Sequence, residues 1–316
     1  MAEAVRVGVV GATGAVGTVT LELLAERGFE HLRAFASSRS AGKHVTYGER
    51  ELLVEEASPE ALAAGGLDLC FFSVGTAASR ELVPAAVEGG AVCIDKSDAF
   101  RLEDGVPLVV VGVNEEVLNG DQVIANPNCS AIQLACALAP LHEAAGLARV
   151  RLATYQSASG AGDAGIEWLR GVAPAEADLA MDWELDGEEF SEEWKLRAET
   201  RKILGLPELP LHATCVRVPV LVGHAQAVWI ETERQLAPDE AREALAGSSQ
   251  IRLADLPTPK DAAGGDKVLV GRIRRDSAQG ANGLALWVVA DNLRKGAALN
   301  AIQIAELLVA RRLLPA

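Results

Sequence analysis

Short apolar runs punctuate the first 128 residues, at 5–10 (VRVGVV), 32–36 (LRAFA), 68–74 (DLCFFSV), 91–94 (AVCI) and 108–113 (LVVVGV), with alanine-rich, helix-spaced stretches between them. The first run feeds Gly11, and Val19, Leu21, Leu23 and Leu24 then fall at helical spacing, which reads as strand, glycine turn, helix. Runs that are apolar throughout, rather than alternating, suit parallel strands covered on both faces, so an α/β doubly wound sheet is expected here. After residue 148 the pattern changes. The segments 149–157, 214–233 and 283–291 are longer and β-branched, with fewer helices between them, and predict a second, α+β domain with a mainly antiparallel sheet. Residues 174–194 gather acidic side chains around Trp183 and Trp194, and the last twenty or so residues form a strongly amphipathic helix.

The chain has 316 residues, 29 basic against 44 acidic, for a formal charge of −15, and 49% hydrophobic residues. That length fits two domains with real cores. No window approaches the ~18 uninterrupted apolar residues of a membrane span, so no integral membrane role is expected. An acidic chain lacks the basic footprint that nucleic acid or anionic lipid demands, so neither is an expected partner. Cys70, Cys93, Cys129, Cys136 and Cys215 form an odd set without CxxC spacing, which fits neither a disulfide framework nor a zinc site, and no metal is expected. With an N-terminus that runs straight into a strand, reduced thiols point to the cytoplasm.

GVVGATGAVG sets Gly8, Gly11, Gly14 and Gly17 across the first strand-to-helix junction, where absent side chains let the backbone approach a pyrophosphate. Gly11 and Gly14 are therefore candidate dinucleotide contacts. An NAD site would be expected to end the second strand with an acid that grips the ribose hydroxyls. This chain has Ser37, Ser38, Arg39 and Ser40 there, and a guanidinium flanked by hydroxyls suits a 2′-phosphate, so NADP is the expected cofactor. A solvated basic loop is the alternative.

In ANPNCSAIQLACALAPL, Cys129 stands where an Asn/Pro-rich turn opens a helix, with Asn128 as its cap, and helix-end N–H groups there favour a thiolate. Cys136, two turns on among Leu134, Ala135 and Leu138, reads as a core thiol. Seven ordered blocks extend these signals: GATGAVG (11–17), SSRSAGK (37–43), NPNCS (126–130), YQSASGAG (155–162), EEWK with ETRKI (192–203), RVPVLVGH (217–224) and DNLRKGAALNA (291–301). Across nearly its whole length the chain resembles the aspartate-semialdehyde dehydrogenase family.

The resemblance implies a Rossmann-type NADP-binding domain, 1–128, completed by the C-terminal helix 296–316, and a catalytic and dimerisation domain, 129–295, in a homodimer or dimer of dimers. It implies NADPH-dependent reductive dephosphorylation of 4-phospho-aspartate to the semialdehyde, with release of inorganic phosphate, in lysine, threonine, methionine and diaminopimelate biosynthesis. By the same transfer Cys129 is the thioester nucleophile, His224 the general acid/base and Gln156 an orienting residue. Asn128 joins the substrate site, Glu192 and Arg217 take the substrate's amino and carboxylate groups, and Arg101 and Lys195 take its phosphate. Thr13 to Val16, Ser38, Arg39, Ser40, Ala41, Ser159, Gly160 and Asn292 line the cofactor. The chemistry is coherent: thiolate attack on an acyl phosphate leaves a thioester able to accept hydride, and imidazole handles protons near neutrality.

Each role has a plainer alternative. His224 could be an ordinary core histidine, and Glu192 with Lys195, at i and i+3, an exposed ion pair. On one uninterrupted strand Arg217 and His224 have opposite parity, so Pro219 or Gly223 must break the alternation if both reach one substrate. The chain also departs from the family pattern: Lys96 and Asp98 stand in DKSDAFR where the family reads DNSSAFR, Gly112 in VVGVN, Gln226 in GHAQ, and Gln279, Gly280 and Ala281 before NGL. These leave room for a divergent paralogue reducing another acyl phosphate or acyl thioester, such as N-acetylglutamyl phosphate, or for a non-catalytic NADPH-binding dimer.

Overall fold

The computed structural model describes residues 4–171, 182–278 and 280–315, so the first part of the acidic stretch 174–194, through residue 181, Gln279 and the extreme termini lie outside the described residues. The chain divides into two compact units, Met1–Pro127 with Ala297–Ala316, and Asn128–Gly296. Among the described residues no helix is long and apolar enough to cross a membrane.

In the first unit, strands β1 (Arg6–Val10), β2 (His31–Ala36), β3 (His44–Tyr47), β4 (Arg50–Glu56), β5 (Leu69–Phe72), β6 (Val92–Asp95) and β7 (Val123–Ala125) form one sheet in the order β3-β4-β2-β1-β5-β6-β7. All pairs are parallel except the β3–β4 hairpin. Helices α1 (Ala15–Glu26), α2 (Pro59–Ala63), α3 (Thr76–Glu88) and the C-terminal helix Leu299–Arg311 cover it. The pleat sorts the strand residues in two. Val7, Val9, Leu69, Phe71, Val92 and Ile94 pack with α1 and the C-terminal helix, whereas Val10, Cys70, Phe72 and Cys93 pack with α2 and α3. Both faces are buried, which is why these strands read as unbroken apolar runs.

The expected strand at 108–113 does not form. Leu108 makes a single bridge to Ala125, and the chain then turns. Asn114 closes that turn by accepting Val110 N–H at 2.8 Å and donating to Leu108 C=O at 2.9 Å. Gly112, at φ +80°, continues the departure from extended backbone. The sheet edge is made instead by β7, and the β3–β4 hairpin falls where no strand was expected.

In the second unit, α4 (Cys129–Ala145) is followed by β8 (Leu147–Ser157), α5 (Gly162–Leu169), the two-residue strands β9 (Leu185–Asp186) and β10 (Glu189–Phe190), α6 (Ser191–Leu204), β11 (Leu211–Val218) and β12 (His224–Thr232). Then come α7 (Pro238–Ala246), β13 (Ile251–Leu253), α8 (Pro259–Ala262), β14 (Val268–Arg275) and β15 (Gly283–Ala290). The six-stranded sheet runs β11-β8-β12-β15-β14-β13. It is antiparallel through its centre and parallel at both edges, β11 with β8 and β13 with β14. Helix α4 lies against β8, β12, β14 and β15, with α6 and α7 beside it, so one sheet face is covered by helices. On the other face Arg149, Arg151 and Tyr155 are exposed, and Tyr155 tilts against Trp287 with ring centroids 5.4 Å apart.

The expected strand at 214–233 is two strands, β11 and β12, joined by a turn through Gly223 at φ +100°. Because β8 lies between them, the parity of Arg217 and His224 along one strand does not arise. The carboxyl ends of β8 and β11 and the amino end of β12 therefore meet at one sheet edge.

Candidate active site

Helix α4 begins at Cys129. Asn128 caps it by accepting Ser130 N–H through Oδ1 at 2.7 Å, and Glu199 accepts the Asn128 backbone N–H at 2.6 Å. The turn before Cys129 is thus held by a cap and by a buried carboxylate from α6. Four cysteines are buried, and burial raises the thiols of Cys70 (to about 12), Cys93, Cys136 and Cys215. Cys129 is half-buried at the helix N-terminus.

The sheet edge meets it from the other side. His224 Nε2 lies 3.1 Å from Cys129 Sγ. On the far side of the ring, Ser157 N–H donates to Nδ1 at 3.0 Å and Ser157 Oγ lies 3.0 Å from the same nitrogen. Since Nδ1 accepts a backbone N–H, the proton of the neutral ring resides on Nε2 and points at sulfur. Burial first, and Arg217 second, push the imidazolium pKa down to about 3, so the ring is neutral at pH 7. The ordinary near-neutral range expected for this histidine is displaced by desolvation.

Gln156 pairs in register with Arg217, and its Nε2 donates to Glu192 Oε1 at 2.9 Å while Thr154 Oγ donates to its Oε1 at 3.1 Å. Asn128 Nδ2 donates to the same Glu192 oxygen at 3.0 Å. Glu192 is 7% exposed, which excludes the exposed ion pair as its role. Lys195 follows one turn later on α6, near the Trp194 ring. Arg217 Nη1 donates to Ser157 C=O at 2.9 Å, and its Nε to Asp182. A methyl group at Gly160 would fall 2.9 Å from both Arg217 Nη1 and His224 Cε1, so only glycine lets these two groups approach there. Asn292 Oδ1 accepts Gly223 N–H at 2.8 Å and Ser157 Oγ–H at 2.9 Å, and its Nδ2 donates to Ser159 at 3.0 Å. Ser159, Gly160 and Asn292, expected as cofactor contacts, thus stand within the network that fixes His224.

The remaining expected residues belong to the first unit. Gly11 has φ +85°, and a methyl there would meet Ser73 C=O at 2.3 Å; at Gly17 it would meet Gly11 C=O at 2.0 Å. Helix α1 starts at Ala15 behind Gly14, with no side-chain cap and no acidic residue in its first turn, leaving a helix N-terminus suited to a phosphate. Ser38 and Arg39 are exposed just beyond β2, with Ser40 and Ala41 half-buried in the same turn. Lys96, just after β6, donates to Ser73 Oγ beyond β5 at 2.9 Å and to Thr20 Oγ in α1 at 3.1 Å; burial lowers its pKa to about 7. Arg101 donates to the carbonyls of Asn126 (3.1 Å) and Lys96 (2.6 Å), and Thr76 donates to Asp98.

Sequence reading missed Ser157, Glu199, Asp182 and Trp183. Glu199 had a signal: it lies seven residues from Glu192, on the same face of α6, in a position otherwise suited to core. Ser157 had none, because its backbone amide makes the decisive contact. Gln226, the departure from the usual acid, donates from Nε2 to Ser130 C=O at 2.9 Å, so here an amide holds the first turn of α4.

Residues 6–120 match the family model "Semialdehyde dehydrogenase, NAD binding domain" and residues 180–295 the model "Semialdehyde dehydrogenase, dimerisation domain". The aspartate-semialdehyde dehydrogenase of Corynebacterium glutamicum is 42% identical, over 96% of this chain and 99% of that protein. The crystal structure of aspartate semialdehyde dehydrogenase II from Vibrio cholerae complexed with ASA superposes with a TM-score of 0.91 at 41% identity, covering 97% of this chain and 98% of that one. The Candida albicans enzyme, solved with NADP, has a TM-score of 0.79 at 26% identity, over 98% of this chain and 99% of that one. With this identity sustained over nearly its full length, the chain belongs to the aspartate-semialdehyde dehydrogenase family.

Proposed function

We propose that this chain reduces 4-phospho-L-aspartate to L-aspartate 4-semialdehyde with NADPH, through a thioester on Cys129. The observation that carries the reading is the thiol at the head of α4 with the Nε2–H of a neutral imidazole 3.1 Å away. The family-wide activity of the relatives and the ASA-bound Vibrio cholerae structure support the substrate.

Cys129 sulfur attacks the acyl carbon, a C–S bond forms, and the C–O bond to phosphorus breaks with release of inorganic phosphate. Helix α4 and the Nε2–H of His224 favour the sulfur as an anion, both before attack and when it leaves again. When bound, the reduced nicotinamide supplies the hydride. The Nε2–H of His224, 3.1 Å from Cys129 Sγ, stabilises the oxyanion of the thiohemiacetal, whose collapse breaks the C–S bond and frees the aldehyde. Arg217 receives the substrate carboxylate and Glu192 its ammonium, with Gln156 and Asn128 holding Glu192 in place; Arg101 and Lys195 receive the phosphate. The dinucleotide fits the first unit: Gly11 and Gly17 bring backbone close, the first turn of α1 leaves N–H groups for the diphosphate, and Arg39 with Ser38, Ser40 and Ala41 meets the 2′-phosphate. The Candida albicans structure with NADP supports that choice. The dimerisation-domain match and the open sheet face around Tyr155 and Trp287 support a homodimer, and five cysteines without a disulfide framework suit the cytoplasm.

Phosphate-dependent reduction of NADP by L-aspartate 4-semialdehyde tests the reaction. Wild type should turn over, and Cys129→Ser should fold and bind NADPH yet lose nearly all activity, because an alcohol lacks the thiolate's nucleophilicity; substantial residual activity would overturn the covalent route.

NADP should be used at least ~10-fold better than NAD, which is ~1.4 kcal/mol and modest for a charge-assisted phosphate contact. Steady-state kcat/KM for the two cofactors measures this, and Arg39→Ala should erase most of the difference.

The His224 ring sets a pH signature. Its folded pKa of about 3 lies below the unfolded value of about 6.5, so the unfolded chain binds the extra proton between them. The stability from keeping this ring neutral is complete above about 6.5 and is lost as pH falls toward 3. In urea denaturation across that window, His224→Gln should show a shallower loss of stability than wild type, by up to one proton in the slope.

A further inference from the structure

The guanidinium assigned to the substrate carboxylate already has a carboxylate beside it. The Arg217 side chain is 3% exposed, and its Nε donates to both oxygens of Asp182, at 3.0 and 3.1 Å. The Asp182 side chain is only 16% exposed, and the ring of Trp183 stacks 4.8 Å from the guanidinium carbon. A pair this shielded is screened far less than one at the surface. Among the described residues Asp182, Trp183 and Ser157 occupy Nε, one ring-facing side and one Nη1 hydrogen of Arg217, and Nη2 is the group to receive an incoming carboxylate.

Beside them stands Glu192, whose partners are neutral amides, Gln156 Nε2 and Asn128 Nδ2. One cation and two carboxylates give the trio a net charge of −1. A ligand carrying a carboxylate alone takes it to −2 in a mostly desolvated place. A ligand carrying a carboxylate and an adjacent ammonium leaves it at −1, and an ammonium one carbon away from the carboxylate on Nη2 comes within reach of the acids that flank Arg217.

We propose that Asp182 is a specificity-determining residue: by neutralising Arg217 it makes this end of the pocket select for a free α-ammonium, and so for an unacylated α-amino acid substrate. This rests on the reading of the site given under the proposed function. A positive Arg217 without Asp182 would bind any carboxylate of suitable length. With Asp182 the selective element becomes the cation, since only a ligand that brings its own positive charge avoids repulsion.

The test compares kcat/KM for L-aspartate 4-semialdehyde and for succinate semialdehyde, its analogue without the amino group, in the phosphorylating direction. Asp182→Asn keeps the shape and an oxygen for Nε but removes the charge. Relative to wild type, its preference for the amino substrate should fall at least ~10-fold, through a higher KM for L-aspartate 4-semialdehyde and a lower KM for succinate semialdehyde. Asp182→Glu, which keeps the charge, should retain most of the preference. An active wild type whose preference is unchanged in Asp182→Asn, or a variant that lowers KM equally for both substrates, would overturn the inference alone; the second result would make Asp182 a simple competitor for Arg217. A wild type that turns over neither semialdehyde would overturn the proposed function and this inference with it.

Discussion

The backbone N–H of Ser157 decides which way the His224 proton points. It donates to His224 Nδ1, so the neutral ring must carry its hydrogen on Nε2, facing Cys129 sulfur. A backbone donor at the end of β8 cannot rotate away as a side chain could, and the surrounding network holds it there. Asn292 ties Ser157 Oγ to Gly223, the residue that turns the chain into β12, and Arg217 holds Ser157 C=O. The ring is therefore fixed from both the strand before it and the strand it belongs to. Burial completes the arrangement by making the doubly protonated ring costly, so the neutral His224 ring presents a fixed Nε2–H to the Cys129 sulfur.

Topology explains how so many polar groups reach one place. A parallel β11–β8 pair beside an antiparallel β8–β12 pair brings two carboxyl ends and one amino end to the same edge, and α4 starts against that edge. The inward positions of these strands, Gln156, Arg217 and His224, would be an expensive set of buried polar groups on their own. Helix α6 offsets this by presenting Glu192 and Glu199 from one face, to the amides of Gln156 and Asn128 and to the backbone before Cys129. One helix thus holds both the amides around Glu192 and the turn before Cys129.

Much of this was legible in the chain. Unbroken apolar runs announced a sheet covered on both faces, the glycines fell where Gly11 and Gly17 admit no Cβ, and Cys129 was recognisable from the Asn-Pro-Asn turn that caps its helix. The run at 108–113 misled because apolar content cannot reveal that Asn114 closes a turn around it. The parity of Arg217 and His224 required a break at Pro219 or Gly223, and the positive φ at Gly223 between β11 and β12 supplies it. Ser157 left no trace because its contact is made by the main chain, whereas Asp182 stood in the acidic cluster around Trp183 without any local pattern to show that it meets Arg217. Local pattern encoded the elements, whereas contacts between elements distant in sequence set the tautomer and the charge of the site.

The covalent bond to Cys129 is the claim on which the account stands, and trapping the acyl-enzyme tests it most directly. Wild-type protein incubated with L-aspartate 4-semialdehyde and NADP in the absence of phosphate, then quenched in acid and digested, should yield the Cys129 peptide heavier by one aspartyl group. Brief hydroxylamine treatment or addition of phosphate before the quench should remove that mass. A full turnover of NADP reduction with no adduct under these conditions, or an adduct on another cysteine, would contradict the thioester mechanism.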